Sequence, residues 1–443
     1  MFPNILNTLI LLSINLLIFT YAFWINYKLY KSYCYISLPF LFNLFFLFFY
    51  IITHTYIILS GNIQNYYKNI INSYYISYTA IFATLLNLFF NIGFIINLFF
   101  KNKKINFSFK YLRILNQNML FKIGFSLFTI GVITKLTYFM ILGGGNIYNY
   151  IISYFAIQLE RISDAGGGTF EVYLNFLFIF LDVGTDLLLI NTLKNNQHKN
   201  LTIICILLAL LLSFNSRFVM IKLIFQYIII ICIYMKNIRK KIPILFLGVF
   251  IPIIFTLVIG LGLFRDSTNN RIINNLDPIY LLMGQFHPMR ALADGISYSR
   301  QFGEKKYGKT IILPIIQKPI PRSIWKNKEL NAGAIYTKTM SPGDLEKGFA
   351  IAPGIAFDAY INFGYIGSLL FFMLLGFIIF KIQTFLYKNI IFNQNNTLYA
   401  ILLAILGSTL LTLRGADLSN IPIYVIYYIP ILIIIFLKFK IKI

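Results

Sequence analysis

Four arginines lie outside the long apolar runs, at positions where an anionic ligand would explain their charge. They are Arg217, Arg290, Arg322 and Arg414. Two of them lie in short turns between apolar runs, and the other two lie in the one long hydrophilic segment. Guanidinium keeps its proton and holds phosphate oxygens with two parallel hydrogen bonds. The arginines therefore predict a binding site for a phosphate or diphosphate group. For the two arginines in short turns, Arg217 and Arg414, snorkelling to a lipid headgroup is the alternative interpretation.

Group transfer beside such a site needs a base within hydrogen-bonding reach of the attacking hydroxyl. His287, in the run Phe-His-Pro-Met-Arg, is the only histidine in the hydrophilic segment, and Asp358 and Asp266 are the other candidates. The choice among these three residues stays open. Trp325 and Tyr360 are the candidate aromatic residues for contact with a ligand.

No metal or cofactor is expected. The three cysteines (Cys34, Cys205 and Cys232) form no pair with metal-ligand spacing, and the three histidines are scattered along the chain. The chain also lacks the glycine-rich motifs that bind nucleotides.

The elements that position these residues must lie in a membrane. Of the 443 residues, 58% are hydrophobic and only 12% are charged, whereas soluble domains carry about 25% charged residues. Apolar runs long enough to cross a bilayer recur along the whole chain. They predict an all-α polytopic membrane protein with eleven or twelve spans, near residues 5–26, 35–59, 74–100, 118–142, 172–192, 201–214, 218–235, 243–263, 356–380, 397–413 and 420–437.

The distribution of lysine and arginine predicts the orientation of the spans. One set of connections carries 18 of these residues without any Asp or Glu, whereas the short connections on the other side carry four. The first set is assigned to the cytoplasm, so the amino terminus lies outside and the carboxyl terminus inside. Much of the net charge of +24 therefore reflects topology and does not indicate nucleic-acid binding.

Three regions follow from this topology. Residues 1–263 hold spans 1 to 8, residues 264–355 form a large outer loop with short helices, and residues 356–443 hold spans 9 to 11. In the loop, apolar residues at helical spacing predict an amphipathic helix from about 278 to 299, broken at Pro288. Inside the spans, Lys135 and Asp186 are expected to form an ion pair or to take part in function.

The layout resembles the O-antigen polymerase (Wzy) family of bacterial inner membranes. The resemblance rests on Ser216-Arg217, on the run Ile320-Pro-Arg-Ser-Ile-Trp-Lys-Asn-Lys328, on Asn362-Phe-Gly-Tyr-Ile-Gly367 at the start of a span, and on Arg414-Gly415. It implies a glycosyltransferase of the GT-C type that polymerises oligosaccharide repeat units linked to undecaprenyl diphosphate at the periplasmic face. For that reaction Trp325 and Tyr360 would be the residues that contact a sugar ring. It also implies contact with a chain-length regulator of the Wzz type.

Two other functions remain open. An O-antigen ligase has the same layout and donor but transfers the glycan to a lipid A core. A flippase or transporter of lipid-linked oligosaccharide would carry out no chemistry. Transporters are often built from internal repeats, none of which is evident here. The Pro-Arg-x-x-Trp run and the Asn-Phe-Gly motif favour the polymerase.

Overall fold

The computed structural model describes residues 5–67, 70, 73–99, 116–142, 177–196, 198–213, 217–235, 287–317, 320, 325, 328–343, 351, 353–392, 396–410, 428 and 430–436. Regular structure in these ranges is entirely helical. In chain order the helices are α1 (Ile5–Tyr30), α2 (Leu38–Phe46), α3 (Thr53–Leu59), α4 (Ile63–Tyr66), α5 (Ser73–Phe99), α6 (Gln117–Leu142), α7 (Ile179–Asn195), α8 (Lys199–Leu212), α9 (Arg217–Tyr234), α10 (Pro288–Ser297), α11 (Lys309–Gln317), α12 (Ala332–Met340), α13 (Ile355–Phe392) and α14 (Asn396–Thr409).

Five helical segments in the described ranges are long and apolar enough to cross a membrane. They are α1 with its 3-10 continuation, the α2–α3 segment joined through a π-helical turn, α5, α6 and α13. The predicted spans at 5–26, 35–59, 74–100, 118–142 and 356–380 are therefore confirmed as helices. Helix α13 continues to Phe392, twelve residues beyond its predicted end.

The predicted spans at 172–192, 201–214, 218–235 and 397–413 correspond to the shorter helices α7, α8, α9 and α14. The span at 243–263 lies outside the described residues, and so does most of the span at 420–437. The total of eleven or twelve spans stays a prediction.

Glycines allow the long helices to approach one another closely. A Cβ at Gly93 of α5 would collide with the backbone of Met373 in α13, and one at Gly376 would collide with the backbone of Phe90. Helices α6 and α7 meet in the same way at Gly131. Without a hydrophobic driving force between helices in lipid, close backbone contact of this kind supplies the van der Waals attraction.

Buried asparagines join α1, α2 and α5. Asn15 donates to Thr84 at 2.8 Å and accepts from Asn87 at 3.2 Å. Asn43 and Asn91 exchange hydrogen bonds of 3.1 and 2.8 Å. Interhelical hydrogen bonds in membranes average about 0.6 kcal/mol each, so this ladder fixes the register of the three helices more than it adds stability.

The described part of the predicted outer loop, 264–355, contains α10, α11 and α12. Pro288, the predicted break point, occupies the first turn of α10. Proline suits that position because its missing N–H has no intrahelical partner in any case. The predicted helical residues from 278 to 286 lie outside the described part of the chain.

Candidate functional site

Helix α10 carries two of the predicted site residues at its amino-terminal end. His287 directly precedes the helix, and its carbonyl oxygen accepts a hydrogen bond of 2.8 Å from the N–H of Ala291. Arg290 follows within the first turn. The positive end of the helix dipole lies at this turn and favours a negatively charged ligand.

The Arg290 side chain is held from within α10. Its Nε lies 3.7 Å from Asp294 Oδ2, and the side chains are 20% and 0% exposed. The same carboxylate oxygen accepts a hydrogen bond of 2.6 Å from the hydroxyl of Tyr336 in α12. Burial raises the pKa of Tyr336 well above its usual value, and the nearby Asp294 carboxylate raises it further. Tyr336 therefore stays protonated and remains a donor to Asp294.

Tyr66, the last residue of α4, also interacts with Arg290. Burial raises the pKa of its hydroxyl, although the backbone N–H and the charge of Arg290 act in the opposite direction. Tyr66 therefore remains a neutral phenol beside Arg290. The guanidinium is therefore ion-paired with the Asp294 carboxylate, while Tyr336 bonds to that carboxylate and Tyr66 lies near Arg290.

The start of α13 is fixed by a second polar cluster. Asp358 is fully buried, and its Oδ1 accepts hydrogen bonds from Thr310 at 2.6 Å and from Asn362 at 2.8 Å. The N–H of Gly308 donates to Asn362 Oδ1 at 2.8 Å, and the N–H of Lys306 donates to the Ile361 carbonyl at 3.0 Å. These bonds attach the beginning of α11 to the beginning of α13.

Gly364 divides α13 into a short first part, which carries Asp358, and the long span that follows. Its backbone has φ 67° and ψ −163°, a conformation that is essentially restricted to glycine. Glycine in a membrane helix usually indicates close helix packing. The structure corrects that interpretation, because a Cβ at Gly364 would meet only the flexible end of Lys305, at 2.8 Å. The backbone conformation is the reason for glycine here.

Helix α10 packs on the first part of α13. A Cβ at Gly295 would lie 2.8 Å from the ring of Phe357, and one at Gly354 would lie 2.8 Å from Pro288. These contacts bring the His287–Arg290 turn next to the start of α13. His287, Arg290, Asp358 and Tyr360 are thus assembled on two helices in direct contact.

The two aromatic candidates have different surroundings. Tyr360 is 9% exposed, and its ring packs edge-on against Tyr365 and Phe82 with centroids 5.0 and 6.1 Å away. Trp325 is 37% exposed. Only the tryptophan retains a substantial open surface for a sugar ring.

Of the four remaining candidates, only Arg217 lies in a described range of the chain. Arg217 is the first residue of α9, which runs antiparallel to α14: Tyr234 reaches Asn396 at one end, and Ser408 reaches Gln226 toward the other. Helix α14 therefore ends on the side where Arg217 begins α9, and Arg414 follows in sequence. Arg322, Arg414 and Asp266 lie outside the described residues.

The charged residues inside the spans do not pair as predicted. Lys135 Nζ lies 3.8 Å from the centroid of the Phe178 ring, and the carboxylate that acts on this lysine is Asp182. Asp186 accepts a hydrogen bond from Gln226. The predicted Lys135–Asp186 ion pair is therefore wrong, because Asp182, one helical turn earlier on α7, is the carboxylate near Lys135.

The sequence interpretation missed the residues that hold the site in place, which are Asp294, Tyr336 and Thr310. One signal was available, since Arg290 and Asp294 have the i, i+4 spacing that brings side chains together on a helix. The same spacing joins Asp358 and Asn362. The partnership of Tyr336 with Asp294 spans 42 residues and leaves no local signature.

A family model described as O-antigen polysaccharide polymerase Wzy matches residues 1–443, the whole chain. No curated protein and no solved structure matches the chain.

Proposed function

The chain belongs to the O-antigen polysaccharide polymerase (Wzy) family, and from that premise we propose that it joins undecaprenyl-diphosphate-linked repeat units. The observation that carries the proposal is the family match over all 443 residues. The apolar helices, several long enough to cross a bilayer, agree with a membrane protein of this family. The arrangement of His287 and Arg290 on α10 adds a chemically suitable site.

The proposed reaction is a glycosyl transfer between two lipid-linked glycans. A hydroxyl of the newly delivered repeat unit attacks the anomeric carbon that links the growing chain to its carrier diphosphate. The carbon–oxygen bond to the diphosphate breaks, and undecaprenyl diphosphate leaves with the electron pair. The proton of the attacking hydroxyl passes to a base of the protein.

Stabilisation of the leaving diphosphate is assigned to arginine. Negative charge grows on the diphosphate as the bond breaks, and oriented donors at that position are usually the largest contribution to catalysis. Arg290 suits this role because Asp294 and Tyr336 hold its side chain at the amino-terminal turn of α10. Arg217, Arg322 and Arg414 are proposed to contact the same diphosphate, in place of a metal ion.

Among the candidate bases, we favour His287. It is half-buried and three residues from Arg290, so it would lie near the bond being formed. Asp358 is fully buried, and its Oδ1 is occupied by Thr310 and Asn362. A structural role in fixing the start of α13 therefore fits Asp358 better than proton transfer. Asp266 remains the alternative base.

Of the aromatic candidates, Trp325 is proposed to contact the sugar, because it is partly exposed. Tyr360 is proposed to support the site through its packing against Tyr365.

The location follows from the same proposal. The protein lies in the bacterial inner membrane with a GT-C-like arrangement of eleven or twelve spans. Its amino terminus and large loop are periplasmic and its carboxyl terminus is cytoplasmic, as the excess of lysine and arginine in one set of connections favours. Membrane lipid and a chain-length regulator of the Wzz type are the expected partners.

A lipopolysaccharide gel from a strain lacking the gene tests the function. Loss of the ladder, with core bearing a single repeat unit, is the expected result, because export and ligation continue without polymerisation. Bare core without any repeat would indicate the ligase or the flippase instead. An unchanged ladder would remove the protein from O-antigen assembly.

A further inference from the structure

A cavity of about 440 Å³ lies within the loop helices, away from the His287–Arg290 turn. Helices α11 and α12 and the residues just before each of them form its walls. Phe302 contributes an apolar surface, and Thr310 contributes a polar one. Ligand pockets have volumes of about 300–1,000 Å³, so the cavity is large enough for a small part of a glycan.

The cavity has an excess of positive charge. Lys306, Lys309 and Lys338 line it, and Glu329 is the one acidic residue among its lining residues. No ion pair between Glu329 and any of the three lysines occurs among the described contacts. The lysines come from two separate segments, so the fold brings like charges together at one cavity. Positive charge on this side of the membrane is not required for insertion.

These walls suit a glycan better than a lipid diphosphate. Lysine ammonium groups are strongly hydrated point charges on flexible stems, whereas diphosphate is bound most specifically by the planar guanidinium fork. No arginine is among the described residues that line this cavity, and Arg290 lies on another helix. The mixture of lysine, threonine and apolar side chains matches a sugar that carries one acidic group.

The cavity is connected to the candidate active site through buried contacts. Thr310, 2% exposed, lines the cavity and donates to Asp358 at the start of α13. On its other side, α12 carries Tyr336, which bonds to Asp294 and thereby supports Arg290. A glycan bound in the cavity would therefore contact α11, which is bonded to Asp358, and α12, which is bonded to the carboxylate that pairs with Arg290.

We propose that this cavity binds an anionic sugar of the repeat unit, so that the glycan polymerised here carries a carboxylate, phosphate or sulfate group. The inference rests on the proposed polymerase function and specifies its substrate class. The lysines hold the acidic sugar and thereby fix the position of the glycan relative to Arg290.

Charge analysis of the polymer from the native strain is the first test. The released polysaccharide is passed over an anion exchanger, and its sugar composition is determined. At least one anionic group in each repeat unit is the expected result. A wholly neutral polymer overturns the inference. If that neutral polymer is still lost when this gene is deleted, the proposed polymerase function is unaffected.

Substitution of the lysines is the second test. Lys309→Gln combined with Lys338→Gln should raise KM for the lipid-linked repeat unit roughly ten-fold, since exposed ion pairs contribute up to about 1 kcal/mol each. The value of kcat should change little, because neither lysine is placed at the reacting bond. Both side chains are exposed, so folding should be retained. Lys305→Gln is the matched control, an exposed lysine of the same loop that does not line the cavity.

Two further measurements separate the possible outcomes. Raised salt should weaken binding in the wild type more than in the double variant, because screening acts on the interaction that the variant has lost. Inorganic pyrophosphate should inhibit the wild type and the double variant equally. Loss of pyrophosphate inhibition in the double variant would assign the lysines to the lipid diphosphate and overturn the inference, as would an unchanged KM. Failure of the wild-type protein to polymerise any repeat unit would instead contradict the proposed function.

Discussion

Separating the proposed catalytic role of Arg290 from its structural role requires a pair of substitutions. Arg290→Gln removes the cation that faces Asp294, so any loss of activity could reflect a disturbed fold. Arg290→Gln combined with Asp294→Asn removes both charges and keeps an oxygen that can accept the hydrogen bond from Tyr336. We expect the double variant to be stable and inactive.

The expected stabilities follow from the geometry. Two unit charges 3.7 Å apart attract each other by about 4 kcal/mol at an effective dielectric constant of 20. Removing one partner of a buried pair costs about 3–5 kcal/mol, and the 20% exposure of Arg290 moves the value toward the lower end. Because the second substitution removes the remaining buried charge, the double variant should recover most of this loss.

Thermal unfolding in detergent and the length of the glycan ladder are then measured for each variant. The order of melting temperatures should be wild type, then the double variant, then Arg290→Gln, while both variants lack the ladder. Arg300→Gln, an exposed arginine of the same segment, serves as the control and should keep the ladder. A double variant that is stable and makes a wild-type ladder would refute the assignment of Arg290 to the diphosphate.

Three further predictions concern other parts of the molecule. Arg217→Ala or Arg322→Ala should abolish long chains at an unchanged protein level, because each removes a proposed diphosphate contact; full activity of both variants in a gel assay would contradict this role. A reporter fused after Lys328 should read as periplasmic and one fused after Lys104 as cytoplasmic, and the opposite result would overturn the topology. Gly364→Ala should destabilise the protein by about 1–3 kcal/mol because the residue has a glycine-only backbone conformation. In thermal unfolding Gly343→Ala, with open space around its Cβ, should be neutral, and equal effects of the two would contradict the backbone argument.

Hydropathy was sufficient to predict the long helices. An uninterrupted apolar run has to satisfy its own backbone hydrogen bonds in lipid, so it becomes a helix whatever its neighbours are. This is why α5 and α6 lie within a residue or so of their predicted ends. The end of α13 was missed because residues 381–392 contain lysines and a glutamine and so lower the hydropathy without interrupting the helix.

Contacts between helices were much harder to predict. Asn43 and Asn91 are single polar residues in apolar runs, and neither identifies the other as its partner across 48 residues. Similarly, Lys135 had two aspartates within reach along α7, and only the packing of α6 on α7 shows that Asp182 is the one near it.

The candidate site was predictable only in part, for a related reason. Arg290 and His287 stand out because of their residue types, and the fold does bring them to the start of a helix. The residues that hold them, Asp294 and Tyr336, look ordinary in sequence. Tyr360 looked like a sugar platform, and its burial against Phe82 and Tyr365 could not be seen without the packing of α5 on α13.

The most direct test of the central claim uses the purified full-length protein in proteoliposomes with an undecaprenyl-diphosphate-linked repeat unit from the native strain. The reaction is run in EDTA, and the glycan length and the released undecaprenyl diphosphate are both measured. A ladder of products, with one undecaprenyl diphosphate released for each new bond, is the predicted result. Intact repeat units in the presence of folded protein would contradict the claim that this chain catalyses polymerisation, and a ladder that requires added magnesium would contradict the assignment of the diphosphate to arginine.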